Sequence, residues 1–140
     1  MNLSLEELHE ERQYLSPELR ARADRTTWTE NRLQYVVYQD GDQVAFLSFD
    51  LPFEEGLVLY ELFVTKEHRR RGIGSALIQE AERIASSRGY SQLVVRPEPL
   101  FKDMSMEQLI RWYEERGFTP CLNQLGVLRK KFVRCEIALR

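Results

Sequence analysis

The chain has 140 residues, a length that suits one domain burying about two-thirds of the surface of its unfolded chain. With 43% hydrophobic and 30% charged residues it reads as an ordinary soluble globular protein, which excludes disorder. A net charge of −2 argues against a surface that coats nucleic acid, and no run of 18 apolar residues is present to cross a membrane. Glu6 and Glu7 stand where an export signal needs a basic region, so a cytoplasmic protein is expected. Cys121 and Cys135 lack metal-type spacing and read as buried, reduced thiols, or as a pair where the fold brings them together; no metal is expected.

Ser4-Leu5-Glu6-Glu7 has capping-box spacing, with Leu3 and Leu8 placed as a hydrophobic staple. Ser16-Pro17 sets an N-cap before a proline at the first helical position. These signals predict two short helices over 5–14 and 17–25, with Leu5, Leu8, Leu15 and Leu19 inward. From Leu33 the composition turns β-branched and aromatic. Leu33–Tyr38 and Gln43–Phe49 are predicted strands joined at Asp40-Gly41, a dipeptide suited to a tight hairpin. Pro52, Glu54 and Glu55 mark a loop, and Gly56 opens a strand from Leu57 to Val64.

A long helix follows Gly74, with Leu77, Ala81, Ile84 and Ala85 at helical spacing and Gly89 placed to cap it. Ser91–Val95 is a short strand, so strand, helix and strand form a βαβ unit with the two strands parallel. Pro97 and Pro99 break the chain. Ser105-Met106-Glu107-Gln108 is a capping box that starts a helix ending at Gly117. Two strands close the sequence, over 118–122 and 127–134, joined by a loop with Asn123 and Gly126.

The stretch that organises the rest is Leu62-Phe63-Val64-Thr65 followed by Lys66-Glu67-His68-Arg69-Arg70-Arg71-Gly72-Ile73-Gly74-Ser75. A strand stops, a basic turn follows, and two glycines open a helix. The glycines leave backbone N–H groups uncovered, and the helix start adds unpaired donors and the positive end of its dipole. This is a phosphate cradle. A P-loop needs Lys-Ser or Lys-Thr after its last glycine, but Ser75-Ala76 follows Gly74; the dinucleotide fingerprint needs a third glycine where Leu77 stands. Arg69-Arg70-Arg71 alone would read as a solvated charge run.

Arg69-x-x-Gly72-x-Gly74 resembles the Arg/Gln-x-x-Gly-x-Gly/Ala signature of the Gcn5-related N-acetyltransferase (GNAT) family. About forty residues on, Tyr113-Glu114-Glu115-Arg116-Gly117-Phe118 resembles the family's second signature, Tyr-Glu-x-x-Gly-Phe. The resemblance covers roughly residues 33–133. It implies one α/β domain over 1–140, with variable N-terminal helices over 1–28 and a core over 33–133. Its mixed sheet is antiparallel at the start, carries a parallel pair at the cofactor cleft, and is flanked by helices. Two departures stand out. The family strand before the first helix is missing or displaced, and Arg96-Pro97-Glu98-Pro99, with Phe101, Lys102 and Asp103 beyond it, replaces a common pantetheine-contacting asparagine.

The resemblance implies acetyl-CoA as co-substrate. Backbone amides from Arg71 through Gly72, Ile73 and Gly74 to Ser75 would hold its pyrophosphate, and the side chains of Arg69, Arg70 and Arg71 would reach the outer phosphates. Backbone groups at Phe63, Val64 and Thr65, otherwise the end of a core strand, would pair with the pantetheine arm where the parallel strands part near Val95. Tyr113 shares a helical face with Met106, Leu109 and Ile110, which alone makes it a core tyrosine; the family context makes it the proton donor to the departing thiolate. Glu61, three residues before Val64, is the chosen general base, against the alternative of a glutamate facing solvent. Asp50, Glu54 and Glu55 could instead draw a cationic acceptor, and His68 reads as loop structure.

The implied reaction is direct attack of a primary amine, small-molecule or peptide, on acetyl-CoA in a ternary complex. A rival reading is a non-catalytic acyl-CoA sensor; another is a nucleotide-binding module of a different fold. Neither nucleic acid nor a membrane is an expected partner, and a homodimer is allowed.

Overall fold

The computed structural model describes residues 2–8, 15–24, 31–50, 56–99, 104–122 and 124–132. The chain divides into two compact units, Met1–Pro52 with Tyr60–Leu77, and Phe53–Leu59 with Ile78–Arg140. Among the described residues seven strands, numbered β1 to β7 in chain order, form a mixed sheet in the order β1-β2-β3-β4-β5-β7-β6.

In the first unit, β1 (Leu3–Leu8) pairs antiparallel with β2 (Arg32–Gln39), from Leu3 opposite Gln39 to Leu8 opposite Gln34. This corrects the expected first helix: residues 5–8 are strand, while 9–14 lie outside the described residues. Leu3 and Leu5 alternate with Ser4 and Glu6 at the period of a strand, and their exposure alternates with them. The ladder to β2 satisfies the backbone along the whole segment, which a local capping pattern cannot match. The family's leading strand is therefore present.

Next comes α1 (Pro17–Asp24), which starts where the proline predicts. Ser16 occupies the cap position and its carbonyl accepts from Arg20 N–H at 2.8 Å, but its buried hydroxyl makes no hydrogen bond. The Ser16 N–H donates to the Gln43 side chain. Leu15, Leu19 and Ala23 bury the helix face. The hairpin between β2 and β3 (Asp42–Asp50) is as expected: Asp40 (φ 52°) and Gly41 (φ 87°) both take the left-handed conformation of a type I′ turn. Val44 through Phe49 are all buried, so β3 is covered on both faces. The loop residues Glu54 and Glu55 lie outside the described residues.

The strand β4 (Leu57–Val64) begins in the second unit, where Leu57, Val58 and Leu59 pair parallel with Leu93, Val94 and Val95 of β5 (Gln92–Val95). The expected parallel pair is thus present, and its register stops at Val95 while β4 runs on to Val64. Gly56 is required before it: an added Cβ would lie 2.7 Å from Gln92 Cγ and 2.9 Å from the Gln92 carbonyl.

Between these strands runs α2 (Ile73–Ser87). Leu77, Ala81 and Ala85 are buried as expected, while Ile84 is half-buried. Gly89 (φ 92°) ends the helix in a Schellman motif, its N–H reaching Ser86 O and Tyr90 N–H reaching Ala85 O.

The second capping box forms in full at α3 (Met106–Glu114): Ser105 Oγ accepts from Gln108 N–H, and the Gln108 side chain accepts from Ser105 N–H. Gly117 (φ 97°) closes it with Phe118 N–H on Tyr113 O. The last strands are shorter than expected, β6 (Thr119–Pro120) and β7 (Leu128–Lys131), and β7 lies between β5 and β6, antiparallel to both. Residues 133–134 of the expected strand, Asn123 and Cys135 lie outside the described residues, as do Phe101, Lys102 and Asp103. Cys121 is a free thiol.

Candidate active site: the turn after strand β4

The end of β4 is fastened before the basic turn begins. Thr65 N–H donates to Val44 O on β3 at 2.9 Å, and the buried Thr65 Oγ1 is hydrogen-bonded to His68 Nδ1 at 2.7 Å. Lys66–His68 forms one 3-10 turn. With the Thr65 hydroxyl engaged by His68, no side-chain cap comes from Thr65 itself. Lys66 N–H is instead taken by Glu18 Oε2 from α1 at 2.9 Å. His68 is loop structure, consistent with its sequence reading.

The arginine run divides. Arg69 folds back: its Nε donates to Val64 O at 2.9 Å, its guanidinium sits 5.6 Å from the Phe63 ring centroid, and Nη2 lies 3.6 Å from Glu18 Oε2. Arg69 thus ties down the strand end, and the Val64 carbonyl serves it as acceptor. Arg70 and Arg71 are exposed. Arg70 (φ 64°) and Gly72 (φ 80°) both adopt left-handed backbone, which is uncommon for arginine and ordinary for glycine. Alternating conformations of this kind turn successive N–H groups toward one side.

Gly72 then starts α2, its carbonyl accepting Ala76 N–H at 3.2 Å. Ile73 buries its side chain and anchors the first turn. Gly74 is not among the left-handed residues. It lies in the first turn of α2 and carries no Cβ. No acidic residue stands in that turn, and Ser75 follows. First-turn N–H donors, the positive helix end, two outward arginines and the absent carboxylate together fit a polyphosphate such as a pyrophosphate.

Glu61 points inward, with 6% exposure, and does not face solvent. Arg22 holds it side-on, Nε to Oε2 at 2.7 Å and Nη2 to Oε1 at 3.0 Å. Such a fork is among the stronger hydrogen-bonded ion pairs. Asp50 is occupied by Arg32 Nε at 3.0 Å.

Tyr113 belongs to the second unit and is described there. It is 7% exposed, edge-on to Trp112 (ring centroids 5.0 Å) and to Phe118 (5.2 Å). Burial pushes its hydroxyl up from 10.0 to about 12. Arg116 stacks 3.8 Å over the Trp112 ring centroid and donates from Nη1 to Trp112 O at 2.7 Å. Sequence reasoning did not find Glu18 and Arg22. They lie 48 and 39 residues from their partners, and no local signal marks them.

The mixed sheet, with β4 and β5 parallel and left-handed Arg70 and Gly72 in the turn that opens α2, defines an α/β class of fold. The profile of the Acetyltransferase (GNAT) family matches residues 3–118, and the chain belongs to that family. Among solved structures, a GNAT family acetyltransferase from Elizabethkingia anophelis with acetyl-CoA bound is similar at 14% identity and TM-score 0.67, over 94% of this chain and 99% of that one. The IAA acetyltransferase of Bacillus cereus is similar at 16% identity and TM-score 0.67, over 94% and 100%. At these identities the likeness is one of fold. A 42-residue stretch is 43% identical to human N-acetyltransferase 8, covering 30% of this chain and 18% of that protein.

Proposed function

We propose that the chain transfers an acetyl group from acetyl-CoA to a primary amine of a small molecule or peptide, by direct attack in a ternary complex. The observation that carries this reading is the turn from Arg69 to Gly74, with left-handed backbone at Arg70 and Gly72 and no carboxylate in the helix turn it opens. When bound, acetyl-CoA supplies the thioester whose acetyl carbon takes the amine nitrogen and whose sulfur leaves with the bonding pair. The amides from Arg71 through Gly72, Ile73 and Gly74 to Ser75 hold the pyrophosphate, with Arg70 and Arg71 as its counter-charges. Arg69 shapes the cradle through Val64 O. Phe63 presents backbone to the pantetheine arm, while Thr65 N–H and C=O are engaged by Val44 O and His68 N–H.

The fork from Arg22 fixes both oxygens of the Glu61 carboxylate in place. We assign to Glu61 the proton of the attacking amine, directly or through water. Tyr113 Oη keeps its own proton at neutral pH and offers it to the leaving sulfur. Full transfer from a phenol at about 12 to a thiolate near ~8.5 is uphill by about 4.8 kcal/mol, so its role is hydrogen-bond donation during departure.

The same burial favours a second reading, an acyl-CoA sensor that binds without turnover, because a phenol this shielded gives up its proton reluctantly. Calorimetric titration with acetyl-CoA, run beside thiol release with a panel of amines, separates the two. Binding with turnover supports the transferase, and binding without turnover on a broad panel favours the sensor. Gly72→Val, which forces a β-branched residue into left-handed backbone, should weaken binding at least about tenfold. Absence of binding by the unmodified protein would sink both readings.

A further inference from the structure

Two residues one turn apart on α1, Glu18 and Arg22, fasten that helix along β4. Arg22 grips Glu61 on the strand, and Glu18 grips the turn that follows it, through Lys66 N–H at 2.9 Å and Arg69 Nη2 at 3.6 Å. The Lys66 N–H is the first of the unpaired donors at the start of the 3-10 turn, and the Thr65 side chain, engaged by His68, caps none of them. We infer that Glu18 is a positioning residue for the anion-binding turn. It acts as a cap supplied from a distant helix, setting where the Lys66–Gly72 segment starts and holding Arg69 against Val64 O.

The inference rests on the reading of that turn as the coenzyme A cradle, and it makes a prediction of opposite sign to simple electrostatics. Glu18 is an exposed carboxylate beside an anion site. If it acted only by charge, its removal would tighten anion binding. If it positions the turn, removal loosens the cradle and weakens binding despite the gained positive charge.

Three variants separate these effects. Glu18→Ala removes both contacts. Glu18→Gln keeps an oxygen for Lys66 N–H and removes the charge. Arg20→Ala alters an exposed residue of the same helix that makes neither contact. Coenzyme A is titrated calorimetrically into each, and amide hydrogen exchange over residues 66–72 is measured without ligand. Glu18→Ala is expected to bind about tenfold more weakly and to exchange faster across the turn. Glu18→Gln should stay within about twofold of the unmodified protein in both measurements, as should Arg20→Ala. Equal or tighter binding by Glu18→Ala overturns the inference while leaving the cradle intact. Failure of the unmodified protein to bind coenzyme A overturns the cradle itself, and the inference with it.

Discussion

The burial of Tyr113 has a consequence measurable without any substrate. The residue is 7% exposed, its ring packs edge-on to Trp112 and Phe118, and burial pushes its hydroxyl up from 10.0 to about 12. The folded protein therefore keeps this proton at pH values where the unfolded chain has released it. The resulting stability is fully present below pH 10 and is lost as pH rises toward 12. The whole effect, 12 minus 10.0 at about 1.36 kcal/mol per pH unit, is about 2.7 kcal/mol. At pH 11 the unfolded tyrosine is about ten parts ionised to one, the folded one about one to ten, and about 1.4 kcal/mol is lost. Tyr113→Phe removes this titration and leaves the other tyrosines, lysines and arginines as they were. Urea unfolding of both proteins at pH 8, 10 and 11 isolates it. Between pH 8 and pH 11 the unmodified protein should lose about 1.4 kcal/mol more than the phenylalanine variant. Parallel pH profiles for the two proteins would refute a buried, protonated hydroxyl, and with it the donor role.

Two further predictions concern β4. Arg22→Met removes the fork from a carboxylate that is nearly inaccessible and should destabilise the fold by about 3–5 kcal/mol, whereas Glu61→Gln removes the charge, keeps one oxygen acceptor for the guanidinium and costs less. If Glu61→Gln abolishes thiol release while unfolding in urea almost as the unmodified protein does, Glu61 is the base; retained turnover would make it a purely structural partner of Arg22. Two glycines should respond to alanine for different reasons. Gly56→Ala drives a methyl into Gln92 Cγ and the Gln92 carbonyl, an overpacking cost of about 1–3 kcal/mol. Gly41→Ala meets nothing within 4 Å but must hold φ at 87°, costing about 1–2 kcal/mol; thermal unfolding of both variants checks the pair.

The middle of the fold was legible because its signals are local. Asp40-Gly41 states its own turn, Ser105 and Gln108 their own cap, and Arg69-x-x-Gly72-x-Gly74 its own junction of strand and helix. The first segment was misread because two local patterns competed in Leu3–Leu8. The spacing of Ser4 and Glu7 favoured a helix, the alternation of Leu3 and Leu5 a strand, and only pairing with β2, some thirty residues away, decides between them. The site residues divide on the same line. The glycines could be found from sequence, but Glu18, Arg22 and the inward turn of Arg69 arise where α1 meets β4 and carry no pattern of their own. Nor does spacing alone say that Gly72 takes left-handed backbone while Gly74 does not.

The two outermost strands bear on how copies of this chain could meet. Among the described residues the sheet ends on β1 and β6. The first of these edges carries exposed Ser4, Glu6 and Glu7, so a like strand laid beside it would bring carboxylates together. The other is two residues long and includes Pro120, which has no N–H to offer a newcomer. Neither edge is a template for extending the sheet. Among the described residues, these two edges disfavour both a continuous intermolecular sheet and strand-templated aggregation.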